Sequence, residues 1–406
     1  MFRISKATGT LVDSPTKLAI NPANARMEHF DVVLLGAGPA GTTCALALRE
    51  SGLRVALIDR EAFPRDKICG DAIGGRAERV LREIDPGVAD SYRVEDFGIA
   101  ASGWRLVTPR GRSVTATFVK PGRVVRRVDF DHFLLGQVRS AFPQLNVLTG
   151  WNVRTIRRCE KSFELKGPEG SLTTRLLVGC DGANSIVARQ LTGRSVDPDH
   201  HSGAVRAYYA GIRGIAGSEL LEIFLVNGFL PGYCWIFPLP NGMANVGFGM
   251  LTRDIARRKI DLKSALDEII ASTPELRERF HSARRIGAVK GFGLPLGGRA
   301  IKASGDGFLL CGDAAGLVDP LNGEGIANAM WSAQIAARHI LRAFGRSRFD
   351  AGSLQAYDDE LNAKLGPELR RKLQLQRLFN RPWLIENLVG LGNRLPWLKE
   401  RVARRL

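Results

Sequence analysis

The hydrophobic pattern changes period along the chain, and the changes lay out its elements. An apolar run, Asp31 to Leu35, enters a glycine series at Gly36, Gly38 and Gly41. A helical pattern follows on Ala45, Leu46 and Leu48, then a break at Gly52 and a second apolar run, Val55 to Ile58, that stops at Asp59. The order reads strand, tight turn, helix, strand. A loop marked by Pro64, Arg65, Asp66 and Lys67 leads to a short amphipathic helix over Ala77 to Ile84. Strand-like runs from Tyr92 to Val128 suggest inserted hairpins. A helix is expected around His132 to Ala141 with Asp131 as its cap, and antiparallel strands over Val147 to Gly182. There the run Leu176 to Val178 meets Gly179, Asp181 and Gly182 ahead of a helix start bearing Ser185 and Arg189.

Further on, Val205 to Ile212 and Leu220 to Phe224 read as sheet strands. At Tyr233, Trp235 and Phe237 the period is two, so the three aromatics share one face of a strand while Cys234 and Ile236 point to the other. Such a row is either core packing or the wall of an apolar pocket. An Asn241-Gly242 turn leads to the next strand, which carries Asn245 and Gly247. Ile260 to Phe280 reads as helical and Gly291 to Gly298 as a loop. A strand over Phe308 to Cys311 precedes the Gly312-Asp313 turn, and a loop with Asp319, Pro320, Gly323, Glu324 and Gly325 opens a long helix.

Candidate chemistry concentrates at the strand ends. Gly36 permits the first turn, Gly38 lets backbone approach a pyrophosphate, and Gly41 lets helix and sheet pack closely. Asp59, twenty-three residues after Gly36, is placed to accept bonds from an adenosine ribose. An acid there repels a ribose 2′-phosphate, so the nucleotide is expected to be FAD or NAD. Asp313 is placed to hold a ribityl chain, and the amides from Gly323 to Ile326 sit at a helix N-terminus suited to negative charge. Glu324 reads as a helix-start residue matched to the dipole, with general acid as the alternative.

Composition narrows the partners. With 58 Lys and Arg against 41 Asp and Glu, the formal net charge is +17, which suits nucleic acid, an anionic membrane or an acidic protein. No zinc-finger spacing or RNP-like pattern is present, which argues against nucleic acid. The six cysteines, at 44, 69, 159, 180, 234 and 311, show no CxxC grouping, so neither a metal site nor a disulfide framework is expected, and a reducing, cytoplasmic compartment is. Residues 1–28 lack an apolar signal core and read as a disordered leader, with Met27 an alternative start. No run of eighteen apolar residues occurs. The tail Lys364 to Leu406 holds eleven Lys or Arg against three Glu, interleaved with Leu373, Leu375, Leu378, Phe379, Trp383, Leu384, Ile385, Leu388, Leu391 and Trp397. It reads as basic amphipathic helices that either lie on an anionic leaflet, at the inner face of the cell membrane, or pack on the body.

Four stretches in this order, GAGPAG with Asp59, PRDKICGD, CDGANSIVAR and CGDAAGLVDPLNGEGI, resemble the FAD-dependent geranylgeranyl reductase family, within the flavoproteins of p-hydroxybenzoate hydroxylase fold. YCWIFP followed by NVGFG is similar to that family's YxWxFP and NVGxG, and Arg127 with Phe130 and Asp131 to its arginine ahead of an interdomain helix. The resemblance covers about Phe30 to Leu341; Leu239 replaces the family's usual lysine after FP. It implies FAD contacts from Gly36, Gly38, Pro39, Ala40, Gly41, Asp59, Arg60, Cys69, Gly70, Arg127, Asp181, Gly182, Gly312, Asp313, Pro320, Gly323, Glu324, Gly325 and Ile326. It also implies a substrate pocket at Tyr233, Trp235 and Phe237, and catalytic assistance from Cys69 through proton handling or substrate positioning.

The expected fold class is α/β: a Rossmann-like FAD-binding domain (29–90, 120–195, 285–345), an interleaved antiparallel-sheet substrate domain (91–119, 196–284) and a basic helical C-terminal region (346–406). The expected activity is reduction of carbon-carbon double bonds in the prenyl chain of an isoprenoid lipid, quinone or chlorophyll-type substrate, with NAD(P)H or reduced ferredoxin as electron donor. The alternative is an FAD-dependent monooxygenase acting on an apolar or aromatic substrate. The two separate experimentally by oxygen consumption against anaerobic turnover.

Overall fold

The structure is a computed structural model in which residues 28–95 and 97–394 are described. The leader up to Met27, and Trp397 in the tail, lie outside the described residues. The described residues open with β1 (Glu28–Leu35), α1 (Pro39–Leu48), β2 (Val55–Asp59), β3 (Ala72–Ile73), α2 (Gly75–Ile84) and α3 (Pro86–Val94). It continues through β4 (Ile99–Val107), β5 (Ser113–Val124), α4 (Arg127–Ala141), β6 (Asn146–Thr149), β7 (Thr155–Arg158), β8 (Phe163–Gly167), β9 (Gly170–Gly179) and α5 (Ile186–Thr192). Next come β10 (His201–Ala210), β11 (Leu220–Leu225), β12 (Tyr233–Leu239), β13 (Met243–Leu251), α6 (Thr252–Arg258), α7 (Leu262–Ser272) and α8 (Pro274–Arg279). The last part holds β14 (Arg284–Pro295), β15 (Ser304–Gly305), β16 (Phe308–Leu310), α9 (Ile326–Arg346), α10 (Ala351–Lys364), α11 (Gly366–Leu378) and α12 (Pro382–Arg394).

Two sheets result. The first runs β15-β16-β9-β1-β2-β6, parallel from β16 to β6, with the β7–β8 hairpin joined to the edge of β9. Its central strands are apolar throughout because helices cover both faces, and α1 is buried along nearly its whole surface between this sheet and α9. Parallel strands of equal register end at one level: Leu35 lies beside Ile58 and Gly179, and Gly179 beside Leu310. The turns that follow, at Gly36, Asp59, Asp181 and Asp313, therefore open on one edge, where ligands of such sheets bind.

The second sheet runs β14-β10-β13-β12-β11-β4-β5-β3, antiparallel except between β11 and β4. One of its faces buries Phe224, Cys234, Ile236, Val246 and Phe248 against α7 and α8. The other faces the first sheet's open edge.

Several expectations change. Tyr92 ends α3 rather than starting a strand, because Asp85 caps that helix through Gly87 and Val88 N–H and Pro86 sets its first turn. Residues 291–295 belong to β14, not a loop. Strands β5 and β14 run through positions 120 and 285, so the second sheet takes in residues on both sides of those expected boundaries. The helix expected over Ile260 to Phe280 is two, broken where Pro274 follows Thr273. Asp131 is not a cap: α4 starts at Arg127, which places Asp131 a full turn inside it.

Candidate active site

A cavity of about 910 Å³ lies between the two sheets. Its dinucleotide end is built by the first βα unit. Gly36 has φ +108°, and a Cβ there would lie 2.3 Å from the Cys180 carbonyl oxygen. At Gly41 a Cβ would stand 1.9 Å from Gly36 O, so this glycine shapes the turn from behind and does not line the cavity. Asp59 is 7% exposed and accepts from Ala37 N–H (2.8 Å) and Glu61 N–H (2.9 Å), which ties the turn to the loop after β2. Two acceptor positions stay open on that carboxylate for ribose hydroxyls.

Two guanidiniums stand over Gly38: a Cβ there would be 3.5 Å from Arg65 Nη2 and 3.9 Å from Arg127 Nη2. Arg127 is 5% exposed and pairs both ways with Asp131, at 2.7 Å from Nε and 2.7 Å from Nη2, while Arg65 adds a third bond to Asp131 at 2.7 Å. Burial alone would raise the Asp131 carboxyl; the two guanidiniums overcome it and hold the group below its ordinary value.

At the next strand end, Asp181 Oδ2 accepts from Ile186 (2.7 Å) and Val187 (3.3 Å) N–H, and its buried Oδ1 has no partner among the described residues. Asp313 lies 3.7 Å from Lys67 and close to Gly325. Gly312, at φ +57°, lets its turn press against Ala329 of α9. The loop before α9 is closed by Asp319 N–H to Glu324 O (2.8 Å) and Gly323 N–H to Asp319 O (3.0 Å). Glu324 Oε1 is enclosed without a partner among the described residues, and burial raises this carboxyl.

The aromatic row lies where expected. Tyr233, Trp235 and Phe237 face the cavity from β12, with ring centroids 6.1 and 6.3 Å apart in sequence order. Cys234 and Ile236 are fully buried on the opposite face. Trp235 Nε1 donates to Asn245 Oδ1 (2.9 Å), and Asn245 Nδ2 donates to Cys69 O (2.7 Å) and Asp71 Oδ2 (2.8 Å). Tyr208 Oη adds another bond to Asp71 (2.9 Å). Beyond the aromatics the cavity continues as an apolar arm along Trp104, Leu106, Phe118, Ile223, Leu225 and Phe379.

The structure thus brings to one cavity Gly36, Gly38, Pro39, Ala40, Asp59, Arg60, Cys69, Gly70, Arg127, Asp181, Gly182, Gly312, Asp313, Gly323, Glu324, Gly325 and Ile326, with the three aromatics. Gly41 and Pro320 stay outside its wall; Pro320 is buried and its carbonyl accepts from Gln376. Sequence reasoning missed Arg65, Asp71, Arg206 and the bridging role of Asn245. PRDKICGD carried the signal, since three of its charged residues face inward: Arg65 to Asp131, Asp66 to Arg206 (2.7 Å) and Asp71 to Asn245.

These residues fit FAD. The turn at Gly36 and Gly38 has no side chain in the way, two guanidiniums stand over it, and the partnerless Asp181 Oδ1 borders the same end.

Residues 29–212 match an FAD binding domain family and residues 202–291 the geranylgeranyl reductase catalytic domain. The chain is 32% identical to menaquinone reductase of Mycobacterium tuberculosis over 76% of each chain. It is 28% identical to digeranylgeranylglycerophospholipid reductase of Methanoculleus marisnigri over 87% of each. Conditioned medium factor receptor 1 of Dictyostelium discoideum is 29% identical over 87% of this chain and 71% of that protein. The fold of this chain is that of a geranylgeranyl bacteriochlorophyll reductase-like protein from Thermoplasma acidophilum, with a TM-score of 0.78 at 23% identity, covering 90% of this chain and 91% of that one. With its dinucleotide turn, its three-aromatic strand and these relatives, the chain belongs to the geranylgeranyl reductase family of FAD-dependent oxidoreductases.

Proposed function

We propose that the chain saturates carbon-carbon double bonds in the prenyl chain of a lipid or quinone. The observation that carries this reading is the shape of the cavity: its polar dinucleotide end runs without interruption into an apolar arm between β4, β5, β11, β12 and the C-terminal helices. A long hydrocarbon fits that arm, where a sugar or an amino acid would find no polar partners. Relatives named for menaquinone and for digeranylgeranylglycerophospholipid support the same substrate class.

An isolated alkene has no carbonyl to accept charge, so its reduction demands alignment, a dry pocket and an acid. When bound and reduced, FAD supplies the electron pair and one of the two hydrogens. Gly36, Gly38 and Asp59 would hold the adenosine diphosphate portion, with Arg65 and Arg127 to answer its charge. Tyr233, Trp235 and Phe237 line up the chain, and Asn245 fixes Trp235 to the backbone of Cys69. Cys69 then stands at the reacting end, where it contacts and positions the double bond.

Anaerobic incubation of the FAD-loaded, chemically reduced protein with prenylated lipids, quinones and chlorophyll precursors tests this by product mass. A gain of two hydrogens per bond is expected; oxygen-bearing products in air, with no anaerobic turnover on any prenyl chain, would overturn it. In the same assay Cys69→Ala should retain FAD yet lose about tenfold or more in turnover, and unchanged turnover would remove Cys69 from the site.

The apolar arm ends under α12, whose Ile385 and Val389 pack on Val114 and Leu225. Its outer face exposes Trp383 (61%), Leu388 (53%) and Leu391 (43%), beside Leu378 and the exposed Arg377 and Arg381. Among the described residues no helix is long and apolar enough to cross a membrane. This face docks the protein on an anionic bilayer, so that a lipid chain enters the arm from the leaflet.

A further inference from the structure

We propose that Glu324 is the acid that gives the substrate carbon its proton, an assignment that rests on the prenyl-reducing reading of the cavity. Saturating a double bond takes two electrons and two hydrogens. The electron pair and the first hydrogen come from the reduced cofactor, so the second hydrogen must arrive as a proton. Its donor becomes an anion that solvent reprotonates before the next turnover. Such a donor has to face the cavity, hold its proton at neutral pH, and stand beside the wall that aligns the alkene.

The other cavity carboxyls have partners or lie at the dinucleotide end. Asp59 accepts two backbone N–H groups at 2.8 and 2.9 Å. Glu61 is exposed and pairs with Arg60 at 3.4 Å. Asp66 takes two bonds from Arg206 (2.7 and 2.9 Å) and one from Lys290 (3.1 Å). Asp313 faces Lys67 at 3.7 Å. Asp181 also keeps an enclosed Oδ1 without a partner among the described residues and is raised by burial, but its Oδ2 takes the Ile186 and Val187 N–H groups and it stands just past the end of β9 against Gly36, on the dinucleotide side. The Tyr233 hydroxyl spends its proton on Asn322 O at 2.7 Å.

Glu324 shares with Asp181 an enclosed oxygen without a partner among the described residues, but it stands on the loop before α9 rather than at the dinucleotide turn. Its Oε1 is enclosed and has no hydrogen-bond partner among the described residues; a Cβ on Gly74 would lie 3.1 Å from it. An ionised oxygen enclosed beside Gly74 without a donor is costly, whereas the carbonyl oxygen of a neutral carboxyl tolerates that place far better. The preceding residue, Gly323, sits against the Tyr233 hydroxyl (3.2 Å from a Cβ there), and Glu324 lines the same cavity as the aromatic row.

Charged groups surround Glu324 from three sides. Arg76 of α2 and Lys372 of α11 favour its ionised form, as does the N-terminus of α9. Both cations are engaged elsewhere: Arg76 with Glu368 (3.0 Å), and Lys372 with Asp319 (2.6 Å) and Glu368 (3.0 Å). Asp319 of the same loop and Glu368 of α11 oppose ionisation. Burial adds the largest effect, and the carboxyl is raised above its ordinary value.

Two measurements test the assignment. The infrared difference spectrum of wild type minus Glu324→Gln, on FAD-loaded protein without substrate, should show the carbonyl stretch of a protonated carboxyl at neutral pH. The band should fade as pH rises. An ionised carboxylate at neutral pH would overturn the proposal, and a pH series on wild type alone follows the same band if the variant folds poorly. In anaerobic turnover of a prenylated lipid, Glu324→Gln should fall about 10²- to 10³-fold with flavin content and substrate affinity retained. The alkaline limb of the wild-type pH profile should vanish in the variant. Turnover within about twofold of wild type refutes the role of Glu324; a wild type that saturates no prenyl chain refutes the functional reading itself.

Discussion

Asp131 and its two arginines show how one residue's meaning depends on where a helix starts. Read as sequence, Asp131 caps a helix near His132; in the fold, extended Arg126 starts the helix early, and Asp131 turns inward beside Arg127, 0% exposed. A carboxylate buried between Arg127 and Arg65 is costly to remove, because buried Arg127 then loses its carboxylate partner and Arg65 keeps only Asp59, at 3.6 Å. Asp131→Asn should lower stability by about 3 kcal/mol, read from urea unfolding at neutral pH. The sign of its pH dependence follows from the depressed value. The stabilisation is present above the unfolded-state value of 3.8 and is lost as pH falls through the lower folded value. The gap between wild type and variant should therefore narrow below about pH 4; a gap that stays constant there would mean the pair is not the cause. Gly36 and Asp59 need no such revision, since their roles depend only on a local strand-turn-helix.

Among elements, β12 and β13 have the most legible pattern and still hide their main device. The aromatic alternation tells which side chains share a face, but the first glycine of NVGFG, Gly247, reads on its own as a mere weakness in a strand. Paired across the ladder, Gly247 lies opposite Trp235, and a Cβ on it would stand 2.1 Å from the indole and 2.4 Å from the Val205 carbonyl. Absence of that side chain is what lets Trp235 lie flat against its neighbour strand and reach Asn245. Gly247→Ala should displace the indole from the cavity wall. Expected is a loss of about 1–3 kcal/mol in stability and a higher KM for a prenyl substrate with flavin content intact; a crystal structure with Trp235 unmoved would contradict this. Gly291 to Gly298 illustrates the converse error. Glycines there suggest a loop, yet Gly293 makes room for the His201 ring within a regular antiparallel pairing. Composition alone does not distinguish a glycine that bends backbone from one that yields space to a side chain.

For the whole molecule, the excess of positive charge and the C-terminal helices bear on where it works. The tail is divided: Leu373, Ile385 and Val389 pack inward, whereas Leu378, Trp383, Leu388 and Leu391 stay exposed among arginines. Vesicles containing anionic lipid should bind the FAD-loaded protein, with binding weakened by salt. Trp383→Ala with Leu388→Ala should reduce that binding several-fold while flavin content stays the same. Equal binding to neutral and anionic vesicles, or none to either, would exclude this face as the docking surface.

Sequence by itself determined what rests on local or periodic chemistry. Strand, glycine turn and terminal acid specify a dinucleotide site within thirty residues, from Asp31 to Arg60, because backbone geometry and hydrogen bonding there need no distant partner. Period two fixed the aromatic face for the same reason. Only the tertiary structure decided which charges meet: Arg65 with Asp131, Asp71 with Asn245 and Tyr208, Lys372 with Asp319, each from elements far apart in the chain. It likewise left Glu324 Oε1 without a partner among the described residues, since that isolation is a property of everything around it rather than of the residue. Pairing and desolvation depend on distances that a linear order does not contain, and the cavity's chemistry rests on them.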